Sequence, residues 1–356
     1  MSPQTTSHWL IRISKVFTNL SGEILAALEA KVLKKLGSEY LLVQLDDPAR
    51  LWHSPAAMFI HWKLPLHHAW PCQPEKMPSF VEKAAQALFT KFQAEPVQAI
   101  FMGPLDGGLA NPYYRKLASN LRGRTLQLFP SEIGEFREIE AQDPVAPTLF
   151  CLVGEEGLYA GVLSPRAANG FYPGGTKFMS QGAADTISRA GAKVAEALHY
   201  LLLNCHPPPA GSHWLELGAS PGGMTSELLS RGYQVTAIDR APLDARLGRV
   251  KNLHFILGSV GEYRPNPQTT FQAILSDMNG GALEAMAQVN RLSQRLMEGG
   301  LVIYTLKTPG AVSFSEIHAL HQQVTESAAK SGLSLFAKTH LTYNRLEFTL
   351  FFEKQT

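Results

Sequence analysis

Five short apolar segments in the second half of the chain constrain its fold more than any other feature. They alternate with helical or loop stretches and read SHWLELGAS, QVTAID, LHFILGS, FQAILSDM and LVIYTLK. Short apolar strands that alternate with helices predict a parallel sheet with helices on both faces. Two further segments, LSLFAKTHL and RLEFTLFFEK, lie only a few residues apart and predict a final antiparallel hairpin. We therefore expect an α/β domain with a mostly parallel seven-stranded sheet over residues 166–356.

The first 165 residues predict two small α+β units joined by the proline-rich link HHAWPCQPEKMP. In residues 1–70, the strand HWLIRIS precedes EILAALEAKVLKKLG, which predicts one amphipathic helix ending at Gly37. The strands EYLLVQL and AMFIHWKLPL follow. In residues 71–165, the helices SFVEKAAQALFTKFQ and PYYRKLASNLRG flank the strand VQAIFMG. The segments LFCLVG and LYAGVLS then predict a hairpin across EEG.

Composition is that of an ordinary globular protein. The 356 residues, 45% hydrophobic and 17% charged, argue against disorder and predict two or three domains. No stretch approaches the roughly 18 apolar residues of a membrane span, and the start MSPQTTSHWLIRIS lacks a secretory pattern. Three distant cysteines, Cys72, Cys151 and Cys205, fit neither a disulfide framework nor a metal site. We expect a reduced, cytoplasmic protein with no membrane partner.

The motif LELGASPGG, residues 215–223, lies where the first of the five strands ends and the next helix begins. A tight turn there needs Gly218, and Gly222 and Gly223 let the backbone approach a ligand closely. The motif is neither the dinucleotide fingerprint GxGxxG nor a P-loop, because GK[ST] is missing. The second strand ends at Asp239, where an acid can accept hydrogen bonds from ribose hydroxyls. That acid favours a nucleotide-like ligand over a purely structural turn.

Four charged residues are predicted to meet at one edge of the sheet. Asp277 and Lys307 end the strands AILSDM and LVIYTLK. Glu347 begins the last strand, which runs antiparallel and therefore starts at the edge where the others end. Lys193 lies on the helix before the first strand. Each alone could be a loop cap, a strand end or a surface charge, but burying an unpartnered lysine costs several kcal/mol.

Two lysines beside two acids suit the activation of a weak oxygen nucleophile. A ribose 2′-hydroxyl is such a nucleophile, and a lysine can accept its proton only while the lysine is neutral. A second lysine and partial desolvation favour the neutral form, and the acids orient the pair and limit the net charge. In-line attack on the methyl group of a sulfonium cofactor then depends mostly on positioning.

These residues resemble the FtsJ-like (RrmJ-type) ribose 2′-O-methyltransferases. The resemblance rests on SRAGAKVAEA, LELGASPGG, SDM, the Leu-Lys pair that ends at Lys307, and Glu347. It implies a Rossmann-like methyltransferase fold, S-adenosyl-L-methionine as cofactor, and a catalytic tetrad of Lys193, Asp277, Lys307 and Glu347, with Lys307 as proton acceptor. No metal ligand is predicted. The implied cofactor contacts are Ser188, Gly218, Ser220, Pro221, Gly222, Gly223, Asp239, Ser259 and Asp277.

The segments FYPGGTKF, TLKTPG and YNRLEFTLFF extend the resemblance to the RlmM branch of this family. Its bacterial members methylate a cytidine ribose in the peptidyl transferase region of 23S ribosomal RNA. The resemblance implies a ferredoxin-like unit at 1–70, a THUMP-like RNA-binding unit at 71–165, and large-subunit ribosomal RNA or its precursor as partner. Two positions depart from the pattern. Ser259 replaces the usual aspartate at the adenine amino group, and Asn279-Gly280 follows SDM.

Three alternatives stay open at this point. The target could be another nucleotide, such as a uridine ribose, or a different RNA. The chain could be a catalytically inactive RNA-binding or ribosome-assembly protein. It could also methylate a base nitrogen, although such enzymes carry [DN]PP[YF] where this chain reads SDMN. The basic run at 115–124 and Arg189 are possible phosphate contacts, and a solvated helix face explains the run equally simply.

Overall fold

The chain forms two compact units, each with its own sheets and core. The computed structural model describes residues 6–105, 112–131, 133, 141–176, 187–308, 310 and 313–355. The N-terminal unit comprises Met1–Lys177 and Leu202–Asn204, and the C-terminal unit comprises Phe178–Leu201 and Cys205–Thr356. The end of FYPGGTKF, the start of the helix predicted before Lys193, and the proline of TLKTPG lie outside the described residues.

The first sheet of the N-terminal unit is built by residues near the start of the chain. Its elements are β1 (His8–Ile13), α1 (Ser21–Ala27), β2 (Lys31–Leu36), β3 (Tyr40–Gln44), α2 (Arg50–His53) and β4 (Ile60–Pro65). The strand order is β2-β3-β1-β4, and every neighbouring pair is antiparallel. One face of this sheet packs Leu10 and Trp62 into a core that also contains Phe150 and Tyr159.

The prediction of one helix ending at Gly37 is wrong for the second half of that segment. α1 ends at Ala27, Glu29 adopts a left-handed backbone conformation with φ of 53°, and β2 pairs with β3. Helix propensities of ordinary residues differ by only fractions of a kcal/mol. The hydrogen bonds that β2 makes to β3 therefore decide the local structure, and these bonds depend on residues beyond the segment.

The second sheet of this unit begins within the proline-rich link, at His68–Trp70. Its elements are β5 (His68–Trp70), α3 (Phe80–Phe92), β6 (Ala99–Pro104), α4 (Pro112–Leu128), β7 (Thr148–Gly154), β8 (Gly157–Leu163) and α5 (Pro165–Ala168). The order is β5-β8-β7-β6, with β6 and β7 parallel. The predicted hairpin of β7 and β8 is confirmed. Leu88 of α3 and Leu121 of α4 pack with Leu149 of the sheet.

The C-terminal unit alternates strands and helices as the sequence predicts. Its elements are α6 (Ala190–Leu201), β9 (His213–Leu217), α7 (Gly223–Ser230), β10 (Gln234–Asp239), β11 (Leu253–Leu257), β12 (Phe271–Ser276), α8 (Ala282–Leu292), β13 (Leu296–Lys307), α9 (Phe314–Ala329), β14 (Leu333–Thr339) and β15 (Glu347–Lys354). Among the described residues, seven strands form one sheet in the order β11-β10-β9-β12-β13-β15-β14. Only β15 runs opposite to the other described strands of this sheet.

This topology positions a ligand site. From β9 the chain builds β10 and β11 on one side and then crosses to β12 on the other, so the strand order reverses between β9 and β12. Ligands of open α/β sheets bind outside the carboxyl ends of the strands at such a reversal. The predicted Rossmann-like, mostly parallel seven-stranded sheet is confirmed. No helix in the described ranges is long and apolar enough to cross a membrane.

Candidate active site

The four predicted catalytic side chains form one continuous line of contacts at the carboxyl edge of the sheet. Lys307 and Glu347 are cross-strand partners in the register of β13 and β15. Asp277 follows β12 directly, and its two oxygens lie 3.2 Å from Nζ of Lys307 and 3.9 Å from Nζ of Lys193. Lys193, reaching over from α6, donates a hydrogen bond to Glu347. The order of contacts is Glu347, Lys193, Asp277, Lys307.

Charge balance explains how this edge can hold four ionisable groups. Their side chains are only 12% to 19% exposed, so an unpaired charge here would be costly. Two ammonium groups and two carboxylates alternate along the line, and each cation has a carboxylate oxygen within 4 Å. The arrangement holds both lysines on the same carboxylate, Asp277.

Lys307 has two further acceptors in the turn after β12. Its Nζ donates to the backbone carbonyl of Asp277 at 3.0 Å and to Oδ1 of Asn279 at 2.7 Å. Because Asn279 belongs to a pair that departs from the RlmM pattern, resemblance gave no reason to expect a role for it. The only signal in the sequence is its position two residues after Asp277.

The glycines of LELGASPGG permit close approaches that a side chain would block. Gly218 has φ of 84°, and an added Cβ would lie 3.0 Å from Cα of Met278. Gly222 has φ of 105°, a conformation that favours glycine. A Cβ on Gly223 would lie 2.1 Å from Oγ of Ser188. The loop is thus a backbone cradle, and Ser188 lies against it.

Asp239 ends β10 beside this loop. Its Oδ2 accepts a hydrogen bond from the backbone N–H of Ser220 at 2.9 Å, and its Oδ1 accepts one from Ala241 at 2.8 Å. Ser220 donates through its hydroxyl to the carbonyl of Pro242 at 2.9 Å, and the carbonyl of Pro221 accepts from the N–H of Asp244. These bonds orient the carboxylate of Asp239 and leave each of its oxygens with room for a second donor.

Ser259 follows β11, the next strand outward from Asp239. Its hydroxyl oxygen accepts a hydrogen bond from Nη2 of Arg240 at 3.3 Å. Ser259 therefore lies beside the residue that follows Asp239. Apart from Ser188, which precedes α6, the predicted cofactor residues lie at or follow the ends of β9, β10, β11 and β12.

Glu216 is a buried acid that the sequence analysis missed. It lies one residue from the end of β9, is 1% exposed, and accepts a hydrogen bond from the hydroxyl of Thr225 at 2.7 Å. Burial raises the pKa of Glu216 to about 8, opposed by the Thr225 bond and reinforced by the charges of Asp277 and Asp239. Its Oε1 has no hydrogen-bond partner among the described residues. An acid between two leucines of a buried strand was the available signal.

Glu196 is a second buried acid without a predicted role. It lies one turn after Lys193 on α6 and is 3% exposed. Its carboxylate accepts hydrogen bonds from the backbone N–H groups of Thr342 at 2.9 Å and Tyr343 at 3.4 Å. These bonds tie the helix that holds Lys193 to the loop that precedes Glu347.

The basic run at 115–124 divides in the structure. Nε of Arg122 donates to the carbonyl of Ile100 at 2.8 Å, with its guanidinium over the ring of Phe101. Arg124 pairs with Glu82 at 2.6 Å. Arg115 and Lys116 are exposed on α4. Only these last two remain available for a phosphate within the run.

Metal ligands are not clustered. Among the residues that the structure describes, no three His, Cys, Asp or Glu side chains lie where they could hold one ion. No disulfide joins Cys72, Cys151 and Cys205.

Curated proteins provide the comparison that bears on the family resemblance. No protein-family model matches the chain. A ribosomal RNA large subunit methyltransferase M from Shewanella sp. (strain MR-4) is 28% identical over 222 residues, which cover 59% of this chain and 58% of the relative. One with the same name from Aggregatibacter aphrophilus (strain NJ8700) is 26% identical over 179 residues, 47% of each chain. The chain resembles ribosomal RNA large subunit methyltransferase M. The resemblance that the motifs predicted is thereby confirmed, over less than two thirds of these relatives' length.

Two solved structures of fibrillarins are also similar to part of the chain. The Methanococcus jannaschii fibrillarin pre-rRNA processing protein is 17% identical with a TM-score of 0.38, covering 51% of this chain and 84% of its own. Aeropyrum pernix fibrillarin, solved with natively bound S-adenosyl-L-methionine, is 16% identical with a TM-score of 0.36, covering 60% and 85%.

Proposed function

We propose that the chain is an S-adenosyl-L-methionine-dependent RNA methyltransferase that acts on a ribose 2′-hydroxyl. The observation that carries the proposal is the line of contacts Glu347, Lys193, Asp277 and Lys307, which lies at the sheet edge that also carries the glycine cradle. The names of the sequence relatives, ribosomal RNA large subunit methyltransferases, support it independently.

The cofactor would lie along the ends of β9, β10, β11 and β12. The residues present suit it. The cradle at Gly218, Gly222 and Gly223 exposes little but backbone, which a ligand could approach closely, and Asp239 has acceptor capacity for ribose hydroxyls. Ser259 offers a hydroxyl for the adenine end, and the free Oε1 of Glu216 can accept from an amino group or a water. The remaining predicted contacts are Ser188, Ser220, Pro221 and Asp277.

The cofactor supplies an electrophilic methyl group on a positively charged sulfur. Nζ of Lys307 would take the proton of the 2′-hydroxyl that receives this methyl group. Asp277 holds both lysines in place, so that Lys193 puts a second positive charge near Lys307. Glu347 orients Lys193. Positioning of the hydroxyl for in-line attack is the other main contribution.

The substrate we propose is a cytidine of 23S ribosomal RNA in the peptidyl transferase region. The N-terminal unit would bind this RNA through a ferredoxin-like unit at 1–70 and a THUMP-like unit at 71–165. The first is supported by the element order β1-α1-β2-β3-α2-β4 and the antiparallel sheet β2-β3-β1-β4. Arg115 and Lys116 on α4 are candidate phosphate contacts. A ribosomal substrate would place the enzyme in the cytoplasm.

Two alternatives compete with this proposal. A different nucleotide or RNA would use the same catalytic edge, because the tetrad recognises a ribose rather than a base. A catalytically inactive assembly protein would keep cofactor or RNA binding without transfer. Methylation of a base nitrogen is disfavoured, since the turn after β12 reads SDMN and lacks the prolines and the aromatic residue of that chemistry.

The test uses the full chain, tritiated S-adenosyl-L-methionine, and 23S ribosomal RNA from cells that lack this gene. We expect transfer to that RNA, none to RNA from cells that have the gene, and 2′-O-methylcytidine in the nuclease digest. A labelled uridine would support a different target. Binding of S-adenosylhomocysteine without any transfer would support the inactive assembly protein.

A further inference from the structure

Asn279 completes the surroundings of Lys307. Three oxygens lie around Nζ of Lys307: Oδ1 of Asn279 at 2.7 Å, the carbonyl oxygen of Asp277 at 3.0 Å, and Oδ1 of Asp277 at 3.2 Å. The side-chain oxygen of Asn279 and the carbonyl oxygen of Asp277 accept hydrogen bonds from this ammonium group, whereas Oδ1 of Asp277 forms an ion pair with it. Asn279 provides the shortest of the three contacts.

Charge distinguishes Asn279 from every other side chain in the line of contacts. Glu347, Lys193, Asp277 and Lys307 alternate in sign, and the side chain after Lys307 is a neutral amide. An amide oxygen orients an ammonium group without adding a negative charge. A carboxylate in its place would favour the protonated lysine, typically by one pKa unit or more for an opposite charge at this range.

We propose that Asn279 is a positioning residue that directs Nζ of Lys307 toward the substrate hydroxyl while letting that lysine lose its proton. The inference rests on the proposed function, because only a proton acceptor benefits from being held without an added charge. When the oxygen–carbon bond forms and the carbon–sulfur bond breaks, the hydroxyl proton goes to the neutral Nζ and the product sulfur is uncharged. Asn279 touches neither bond and acts through Lys307.

The position tolerates substitution, which makes the inference testable. Asn279 is exposed. The next residue, Gly280, has φ of 120° and no atom within 4 Å of an added Cβ, so the turn is open. Changes at Asn279 therefore leave the buried sheet intact. Asn266 offers a matched control: it is an exposed loop asparagine in the same unit whose Oδ1 accepts from the backbone of Gln268.

The experiment measures kcat against pH for the full chain and three variants, with tritiated S-adenosyl-L-methionine and the 23S RNA from gene-deficient cells. For Asn279→Asp we expect the acid limb of the profile to move up by about one pH unit, which is about tenfold in rate on that limb, with the plateau retained. For Asn279→Ala we expect a plateau lower by about fivefold and no upward movement of the limb. Asn266→Asp should reproduce the unaltered profile.

The proposed role predicts that Asn279→Asp moves the acid limb and Asn279→Ala lowers the plateau. Identical profiles for both variants and the unaltered chain would overturn it, as would an equal loss of plateau with an unmoved limb, which indicates a merely structural role. S-adenosylhomocysteine affinity, measured by calorimetry, should be unchanged in all three variants. Absence of transfer by the unaltered chain would refute the proposed function itself and, with it, the role of Asn279.

Discussion

The two compact units use their charged side chains in opposite ways. In the C-terminal unit, four charged residues that are far apart in the chain, from Lys193 to Glu347, converge on one sheet edge. In the N-terminal unit, basic residues that are close together in the chain diverge. Arg122 and Arg124 bind groups of their own unit, and Arg115 and Lys116 face solvent.

This difference shows what kind of sequence signal predicts a site. Convergence follows from strand ends, because the carboxyl ends of parallel strands share an edge whatever their separation in sequence. A run of basic residues on a helix has no such rule, since successive residues point in directions about 100° apart and meet different neighbours. Residues at strand ends are therefore better evidence for a site than residues in a charged run.

The largest effect is expected from removing Lys307, the proposed proton acceptor. Lys307→Met should lower methyl transfer about 1,000-fold, within the range of general base catalysis, while S-adenosylhomocysteine binding stays intact. Transfer rate and calorimetric affinity are the two measurements. Lys330→Met, an exposed lysine of the same unit, is the matched control and should behave as the unaltered chain. Full activity of the Lys307 variant would exclude the proton-acceptor role.

The next effect concerns the glycine cradle. Gly223→Ala should weaken S-adenosylhomocysteine binding about 100-fold, because the new Cβ would lie 2.1 Å from Oγ of Ser188 and the cradle must shift. Gly258→Ala is the control, because nothing lies within 4 Å of its added Cβ. Equal affinities for the two variants would mean that the cofactor does not bind against this loop.

A smaller effect, on stability, is expected from His321, a buried histidine of α9. It is 6% exposed, and neither ring nitrogen has a hydrogen-bond partner among the described residues. Burial, with the positive charges of Lys338 and His318, lowers the pKa of His321 to about 4, from 6.5. Between pH 4 and pH 6.5, the histidine is mostly protonated in the unfolded chain and mostly neutral in the folded one. The free energy of unfolding is therefore highest above about pH 6.5 and falls as the pH drops toward 4.

His321→Leu should remove that loss. The substitution changes the free energy of unfolding, measured in urea, at both about pH 5 and about pH 7.5. We expect this change to be more favourable at pH 5 than at pH 7.5 by about 2 kcal/mol. His206→Leu, an exposed histidine in the same unit, should leave the pH dependence unchanged. A parallel pH dependence of the His321 variant and the unaltered chain would show that His321 is not the group responsible.

The smallest effect is expected from the N-terminal unit. Arg115→Glu with Lys116→Glu should weaken binding of the 23S RNA about tenfold at fixed salt and reduce the salt dependence, because the two candidate phosphate contacts would be lost. Lys34→Glu with Lys35→Glu changes the charge equally on the exposed strand β2. Equal losses in the two double variants would mean that net charge, rather than α4, governs RNA binding.

Much of the C-terminal unit follows from sequence alone. Alternating apolar segments predict its sheet, the closing hairpin predicts that β15 runs antiparallel, and together they bring Asp277, Lys307 and Glu347 to one edge. Asn279 and Glu216 could not be assigned in this way. The contact of Asn279 depends on the side-chain conformation of Lys307, and the raised pKa of Glu216 depends on burial and on the charges of Asp277 and Asp239.

By itself, the sequence determined the α/β class, the glycine cradle and the strand ends where Asp277, Lys307 and Glu347 lie, because hydrophobic periodicity and glycine requirements are local properties of the chain. Tertiary structure alone decided that Lys31–Leu36 is a strand and that Lys307 lies opposite Glu347 in the register of β13 and β15. It also decided that Arg122 and Arg124 bind other groups of the protein. The physical reason is the same in each case. Backbone pairing, burial and charge–charge distances depend on residues far apart in the chain, and they outweigh local preferences of a fraction of a kcal/mol.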